Sequence, residues 1–209
     1  MTRLHLIRHG ETVWNAEGRI QGQTDATLNA IGRGQAEALK DELAHIPISR
    51  VYVSSSVRAR DTAALAFASR DVEFIYLDEL REIYLADWEG RLYSEVELAY
   101  PLDIHHFRNA PHQFNYQGAE TFVGLQQRAL AAAQDIIAQN RDIEVAIVSH
   151  GAWIKSLLCH YEGRPLSQFW EPPRMHNCSH SILELLPGNE HPQITQYAGH
   201  QEGFGLVPP

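Results

Sequence analysis

The hydrophobic positions of this chain form short apolar runs that alternate with longer segments of helical periodicity. The apolar runs predict strands over residues 4–7, 50–53, 74–77, 144–148, 181–186 and, more weakly, 193–196. The periodic segments predict helices over 30–45, 57–69, 93–100, 121–140 and 152–161. Strands that alternate with helices predict an α/β protein, a three-layer sandwich whose mostly parallel central sheet carries helices on both faces.

Capping residues mark the starts of two of these helices. Asn29 and Thr121 are N-cap types placed directly before periodic segments. The first of these helices has Ile31, Ala36, Leu39 and Leu43 on one predicted apolar face. Residues 15–25, which are rich in Gly, Gln, Asn and Asp, predict a loop across the carboxyl end of the first strand.

The segment from 78 to 118 has weak periodicity. We expect its part around 90–118, with a histidine- and aromatic-rich run over 105–116, to be a lid or specificity insertion rather than a second domain. At 209 residues the chain fits a single domain over 1–209. The tail after residue 196, which carries Gly and Pro, is expected on the surface.

Composition excludes some partners and predicts a location. The net charge is -9, with two lysines beside fifteen arginines among the 17 basic residues, so no basic footprint for nucleic acid or an anionic membrane is present. Cys159 and Cys178 do not make a disulfide framework, and no apolar run reaches membrane-spanning length, which predicts the cytoplasm. The sequence leaves a homodimer open.

Two of the predicted strands end in the same way. The first runs into Arg8-His9-Gly10, and the strand over 144–148 runs into Ser149-His150-Gly151. Because parallel strand ends meet at one edge of a sheet, His9 and His150 are expected to converge there. A histidine there could attack phosphorus while its partner, as the cation, donates to the phosphoryl oxygens. Each motif alone also fits a structural turn.

Arginines and a carboxylate complete the candidate chemistry. Arg8 and Arg58, the latter near the start of a helix, could grip a phosphate from two sides. Glu82 is the candidate to protonate the departing alcohol, with Glu11 and Glu89 as rivals that fit structural roles better. We interpret His105, His106 and His112, which lack regular metal-ligand spacing, as surface histidines.

Several sequence blocks resemble one family in their order along nearly the whole chain. LIRHGETVWNAEGRIQGQTDATLN, RARDTA, LREIYLADWEG, GAET, VAIVSHG and NCSHSILEL are similar to blocks of the histidine phosphatase superfamily, also called the phosphoglycerate mutase-like family. The resemblance is nearest to its broad-specificity and α-ribazole-5'-phosphate phosphatases, with fructose-2,6-bisphosphatase-like enzymes close behind. It implies a phosphohistidine intermediate, a small phosphate monoester as substrate, and no metal or organic cofactor.

The resemblance also implies roles for particular residues. His9 is the implied nucleophile and Glu82 the proton donor, in a phosphate pocket formed with Arg8, Arg58 and His150. The substrate-side or phosphate-binding positions that it implies are Asn15, Gln21, Gly22 and Gly151.

Three departures from the family pattern bear on these assignments. Ala86 stands where the family usually has Gly, which is expected to shift the loop that carries Glu82. The serine run before Arg58 is one residue short, and Ala119 replaces a second Gly. The methyl group of Ala119 is expected to matter little unless its φ is positive.

The residues of the insertion favour hydrolysis over mutase chemistry. A mutase holds a second anion, yet between Gly90 and Gly118 only Arg91 and Arg108 are basic. The aromatic and histidine residues there suit an uncharged or aromatic leaving group. Cofactor-dependent phosphoglycerate mutase-type transfer is the alternative, and a non-catalytic phospho-ligand binding module is a remote third.

Overall fold

A seven-stranded sheet forms the centre of the part of the chain that the structure, a computed structural model, describes, which is residues 1–201. Its strands are β1 (Thr2–Arg8), β2 (Arg50–Ser54), β3 (Glu73–Leu77), β4 (Glu144–Ser149), β5 (His180–Leu185), β6 (Gln193–Tyr197) and β7 (His200–Gln201). The spatial order is β3-β2-β4-β1-β5-β6-β7. The first four in this order are parallel, β5 is antiparallel to β1, and β6 runs in the direction of β1 again. The predicted mostly parallel sheet is confirmed.

Helices cover both faces of this sheet. They are α1 (Val13–Glu17), α2 (Ala30–Leu43), α3 (Val57–Ala66), α4 (Tyr93–Ala99), α5 (Pro101–Asn109), α6 (Phe122–Gln139) and α7 (Gly151–Glu162). Because neighbouring strand residues point to opposite faces, Ile7 packs with Leu39 and Leu43 of α2, whereas Leu6 packs with the α6 and α7 side. The predicted three-layer sandwich is therefore confirmed.

Two local predictions near the amino terminus were wrong. Residues 15–17, the start of the predicted loop, belong to α1 instead, because the Thr12 side chain accepts from the Asn15 amide and Gly18, at φ 69°, ends the helix. Ile31, placed on the buried face of α2, is 61% exposed, and Gly32 is buried instead. Glycine is required there because α2 packs directly on the backbone of Glu11.

The insertion is more regular than its sequence predicts. It contains α4, as expected, and also α5, which begins with Pro101 at the first helical position. Its aromatic side chains pack around the buried indole of Trp88, with ring centroids 4.9–6.2 Å away for Tyr100, Phe107, Phe114 and Tyr116. These rings are thus the core of the segment and hold it against the α6 side of the sheet.

The carboxyl-terminal segment has more regular structure than was predicted. The tail after residue 196 begins with the end of β6 and with β7, which pair as an antiparallel hairpin up to residue 201. Residues 202–209, the rest of that tail, lie outside the described residues.

Candidate active site

His9 directly follows β1, at the carboxyl edge of the parallel strands. Its amide donates to the Ser149 carbonyl at 3.0 Å, so the strand pairing fixes its backbone. Gly10 makes the turn possible, because a Cβ there would lie 2.5 Å from the carbonyl oxygen of Gly32 in α2. The chain therefore leaves the sheet here with His9 buried at its edge.

The hydrogen bond of the His9 ring selects its reactive atom. Nδ1 donates its proton to the Gly10 carbonyl at 2.7 Å, which leaves Nε2 with the free lone pair. Burial lowers the pKa of His9 well below 6.5, and the positive charges of Arg58 and Arg8 lower it further. His9 is therefore neutral near pH 7, as a nucleophile requires.

His150 caps the amino terminus of α7 beside His9, and the centroids of the two rings lie 5.2 Å apart. Its Nδ1 accepts from Arg58 Nε at 3.2 Å, so the ring proton is on Nε2 and is donated to Ser54 Oγ at 2.8 Å. Burial, with the charge of Arg58, lowers the pKa of His150 well below 6.5. The expectation of a cationic partner histidine therefore does not hold in this site, where both rings are neutral.

Arg58 lies in the first turn of α3, and its guanidinium is fully buried. It donates to the carbonyls of Gly22 at 2.6 Å and Thr24 at 2.9 Å as well as to His150. Burial lowers its pKa to about 10, so it remains a cation at neutral pH. Three of its five N–H groups are used in this way, and two remain for a phosphate.

Arg8 ends β1 on the other side of His9 and donates to the carbonyl of Met175. Its Nε is buried without a hydrogen-bond partner among the described residues. A buried, unpaired guanidinium N–H is costly unless it meets an acceptor, and an anion in the cavity would supply one. A Cβ on Gly151 would lie 3.4 Å from this Nε, an ordinary van der Waals distance, so Gly151 lies directly beside the Arg8 guanidinium.

The Glu82 carboxylate faces the amino terminus of α7. It accepts from the amides of Ile83 at 3.0 Å, Ala152 at 3.0 Å and Trp153 at 3.1 Å. These three donors hold the carboxylate in place in the wall of the cavity, which Glu82 lines.

The rival carboxylates have structural contacts. Glu11 accepts from the Asn29 side chain at 2.7 Å. Glu89 accepts from the amides of Gln23 at 2.8 Å and Leu85 at 3.0 Å and so holds two loops together. Neither lines the cavity that contains His9.

An open cavity of about 450 Å³ joins most of the predicted site residues. Arg8, His9, Asn15, Gln21, Gly22, Arg58, Glu82 and Gly151 line it. His150 does not, because its ring lies behind Arg58 with both nitrogens bonded. To donate to a phosphate oxygen, His150 must exchange one of these two partners.

The loop residues at the cavity have defined contacts. Asn15 Oδ1 accepts from the Thr12 amide at 3.1 Å, and Gln21 Oε1 accepts from Thr12 Oγ1 at 2.9 Å. Both side chains thus use an oxygen to hold the loop. Asn177 Nδ2 also donates to Asn15 Oδ1 at 3.4 Å, which joins this loop to the segment before β5.

The three departures from the family pattern have clear outcomes. Ala86 adopts φ 52°, the left-handed conformation that glycine favours, so this backbone turn is kept although the residue differs. Arg58 occupies the pocket despite the shorter serine run. The positive φ of the GAE block belongs to Gly118, at 82°, and not to Ala119.

Sequence analysis missed several cavity or site residues. Ser54 ends β2, so the strand-end rule that found His9 could have found it. Tyr93, Lys155, Trp170 and Arg174 also line the cavity, and no local pattern marks them. They reach the cavity through the packing of segments that are distant in sequence.

Residues 1–201 contain neither a metal-ligand cluster nor a membrane-spanning helix. No group of three or more His, Cys, Asp or Glu side chains there could hold a metal ion. His105 instead contacts Asn109, and His112 contacts Gln113. No helix in the same range has the length and apolarity needed to cross a membrane.

A neutral histidine that lines one cavity with two arginines at the carboxyl edge of a parallel sheet is suited to the chemistry of enzymes that transfer phosphoryl groups through histidine. The chain belongs to the histidine phosphatase superfamily (branch 1), whose model matches residues 4–197. The resemblance found in the sequence blocks is thereby confirmed.

Individual relatives cover most of this chain. A solved structure described as Bacillus stearothermophilus YhfR is 37% identical, with a TM-score of 0.92 over 95% of this chain and 97% of that one. Phosphoserine phosphatase 1 of Hydrogenobacter thermophilus is 31% identical over 88% of this chain and 87% of its own length. Adenosylcobalamin/alpha-ribazole phosphatase of Salmonella typhimurium is 34% identical over 80% and 83%.

Proposed function

We propose that the protein is a phosphomonoesterase that hydrolyses a small phosphorylated metabolite through a phosphohistidine on His9. The observation that carries this proposal is the His9 ring, whose Nδ1 bond to Gly10 leaves Nε2 unprotonated beside Arg8 and Arg58. The relatives named as phosphatases support the same reaction.

The first half-reaction transfers the phosphoryl group to the enzyme. Nε2 of His9 attacks phosphorus, the N–P bond forms, and the ester P–O bond breaks. Arg8 and Arg58 stabilise the charge on the phosphoryl oxygens. The leaving oxygen takes a proton from the carboxyl group of Glu82, because an unprotonated alkoxide leaves poorly.

The second half-reaction restores the enzyme. The Glu82 carboxylate takes a proton from a water molecule whose oxygen attacks phosphorus, and the N–P bond breaks to release phosphate. Glu82 is then protonated and His9 neutral, ready for the next substrate. In both steps His150 supports the pocket by holding Arg58 Nε, while Asn15, Gln21, Gly22 and Gly151 shape the phosphate and substrate sides of the cavity.

Hydrolysis fits the open cavity better than mutase transfer, because a mutase must keep water away from the phosphohistidine. The two basic residues of the insertion are engaged elsewhere, since Arg91 stacks over Tyr100 at 5.3 Å and Arg108 pairs with Glu97 at 3.3 Å. Neither lines the cavity, which is open enough to admit water to the phosphohistidine. The free thiols of Cys159 and Cys178 support a reducing location, the cytoplasm. A homodimer stays a prediction that solution mass measurements would test.

The test combines phosphate release with trapping of the intermediate. We expect release of phosphate from p-nitrophenyl phosphate and from members of a panel that includes phosphoserine, α-ribazole phosphate and sugar phosphates. An alkaline quench should trap an acid-labile phosphoryl adduct on His9. The His9→Ala variant should lose both signals, with turnover reduced about 10⁴-fold or more, whereas His45→Ala, on the surface, should keep them.

Two results would reassign the protein. Absence of an adduct and of phosphate release from every monoester would favour a phospho-ligand binding module. With 3-phosphoglycerate and trace bisphosphoglycerate, a dominant 2-phosphoglycerate product would identify a mutase.

A further inference from the structure

The cavity wall beyond the phosphate pocket is strongly cationic. Arg19, Lys155 and Arg174 line it in addition to Arg8 and Arg58. The only carboxylate among the lining residues of residues 1–201 is Glu82, which accepts three backbone amides. In a chain of net charge -9, such a local excess of positive charge favours an anionic ligand. The five cationic side chains exceed the number that binding of a single phosphate group needs.

The three additional cations differ in their contacts. Arg19 donates to Glu17 at 2.6 Å and to the Gly90 carbonyl at 2.9 Å. Lys155 donates to the carbonyls of Glu171 at 2.7 Å and Pro173 at 2.9 Å. Arg174 makes no side-chain hydrogen bond or ion pair with any described residue, so its guanidinium is free for a ligand.

The backbone around Arg174 is held in place on both sides. Before it, Arg164 donates to the carbonyls of Glu171 and Pro172, both at 2.9 Å, in addition to the Lys155 bonds. After it, the Met175 carbonyl accepts from Arg8. The residue after Arg174 is therefore tied through its carbonyl to Arg8, one of the two arginines of the phosphate pocket. Hydrogen bonds hold the backbone on both sides of Arg174 and leave its side chain without such a constraint.

We propose that Arg174 binds a second anionic group, a carboxylate or a phosphate, on the leaving-group part of the substrate. This specificity assignment rests on the proposed phosphatase function. Its planar fork of donors matches either anion in a bidentate geometry. This proposal differs from the expected preference for an uncharged or aromatic leaving group, which stays a prediction because Tyr93 and Phe107 of the insertion also line the cavity.

The test measures inhibition of p-nitrophenyl phosphate turnover by matched pairs of phosphate esters. For a carboxylate the pairs are 3-phosphoglycerate with glycerol 3-phosphate, and phosphoglycolate with ethyl phosphate. For a second phosphate the pair is fructose 1,6-bisphosphate with fructose 6-phosphate. In the wild type, the doubly anionic member of at least one pair should inhibit at the lower concentration.

The Arg174→Gln variant should then remove that preference. The inhibition constant of the doubly anionic member should rise about 10- to 100-fold, as expected for a charged hydrogen bond. The constant of its partner, and kcat for p-nitrophenyl phosphate, should change less than two-fold. Arg174→Lys should restore part of the affinity. Arg60→Gln, an exposed arginine stacked over Tyr76, is the matched control that should change nothing.

Each outcome has a distinct meaning. A wild type without preference in any pair, or an Arg174→Gln variant that weakens both members alike, overturns the role of Arg174 while the phosphatase function stands. A wild type that releases no phosphate from p-nitrophenyl phosphate or any other monoester overturns the proposed function itself. The melting temperature of each variant confirms that it folds.

Discussion

The phosphate pocket and the outer wall of the cavity are built on different principles. His9, Arg58 and His150 are each at most 3% exposed and lie at or just after the carboxyl ends of β1, β2 and β4. The outer wall is formed by side chains such as Trp170, which is 39% exposed, and Arg174. Sheet geometry therefore positions the groups that hold phosphate, while loops and the insertion position those that meet the rest of the substrate.

The outer wall depends on contacts between segments that are distant in sequence. Trp170 donates its indole N–H to the Phe107 carbonyl at 2.6 Å, which joins the segment after α7 to α5. The indole of Trp88 packs against Phe107 of α5 and so supports this helix. Replacing residues of this wall can change substrate preference without disturbing the sheet edge. The comparison thus separates phosphoryl chemistry from leaving-group recognition.

Glu82 lies between the two regions. We expect its replacement by glutamine to lower kcat more than replacement of Ser54 or Ala86. The kcat for alkyl phosphates should fall about 100-fold, because an alkoxide needs a proton to leave. The kcat for p-nitrophenyl phosphate, whose phenolate leaves unaided, should fall less than about 5-fold. Steady-state kinetics on both substrates gives the ratio.

The controls for this variant follow from its contacts. Glutamine keeps one acceptor oxygen for three amides, so the melting temperature must be measured alongside. Glu79→Gln, with an exposed side chain three positions earlier, should leave both rates unchanged. Equal slowing of alkyl and aryl substrates would remove Glu82 from the acid role.

The pH profile tests the burial of the phosphate pocket. Because the pKa of His9 is lowered well below 6.5, we expect a smaller fraction of it to be protonated at pH 5.5 than of an ordinary histidine, which would be about 90% protonated there. The kcat/KM for p-nitrophenyl phosphate, calculated for the dianion, should therefore retain more than about half of its pH 7 value. A ten-fold fall would show that the pocket does not depress this pKa.

Folding must be checked at the lower pH. The pKa of His9, His150 and His180 is lowered in the folded state, to about 4 for His180 because of burial. The unfolded chain therefore binds these protons first, and stability decreases as the pH falls below 6.5. Circular dichroism at pH 5.5 separates this loss from a change in rate.

Ser54→Ala tests whether His150 acts through its position. Loss of the Ser54 acceptor leaves the buried Nε2–H unpaired and frees the ring to turn away from Arg58. We expect kcat to fall about five-fold, the equivalent of about 1 kcal/mol, with KM little changed. Ser69→Ala, an exposed serine after α3, is the control. An unchanged kcat would show that Ser54 does not orient His150.

The sequence predicts the phosphate pocket because its signals are local. An apolar run that ends in Arg-His-Gly, repeated as Ser-His-Gly, marks two strand ends, and parallel strands bring such ends to one edge. Arg58 follows from its place at a helix start. The Thr121 cap likewise marks the start of α6. Each inference needs only a few neighbouring residues.

The cavity wall could not be predicted in this way. The segment of Arg174 is held by Lys155 and Arg164 through main-chain carbonyls, which leave no pattern in the sequence of the segment. The burial of Gly32 in place of Ile31 has the same origin, because a close approach to the Glu11 backbone overrides the apolar pattern. Tertiary contact decides these positions.

The smallest expected effect is that of replacing Ala86, which lies between Glu82 and the insertion. Its φ of 52° costs alanine about 1 kcal/mol that glycine does not incur, partly offset by the greater freedom of glycine when unfolded. Ala86→Gly should therefore stabilise the protein by about 0.5–1 kcal/mol and raise Tm by about 1–3 °C. Thermal unfolding with Ala64→Gly as control tests this, since Ala64 lies exposed in α3 and its replacement should destabilise by about 1 kcal/mol.

The kcat of Ala86→Gly should equal that of the wild type for alkyl and aryl phosphates. The loop is held independently of the Ala86 side chain, because the Leu85 amide donates to Glu89 and the Trp88 amide to the Leu85 carbonyl. Glu82 therefore keeps its place at α7. A change in kcat for alkyl phosphates alone would mean that this turn sets the position of Glu82. The catalytic carboxylate would then depend on the insertion as well as on the sheet edge.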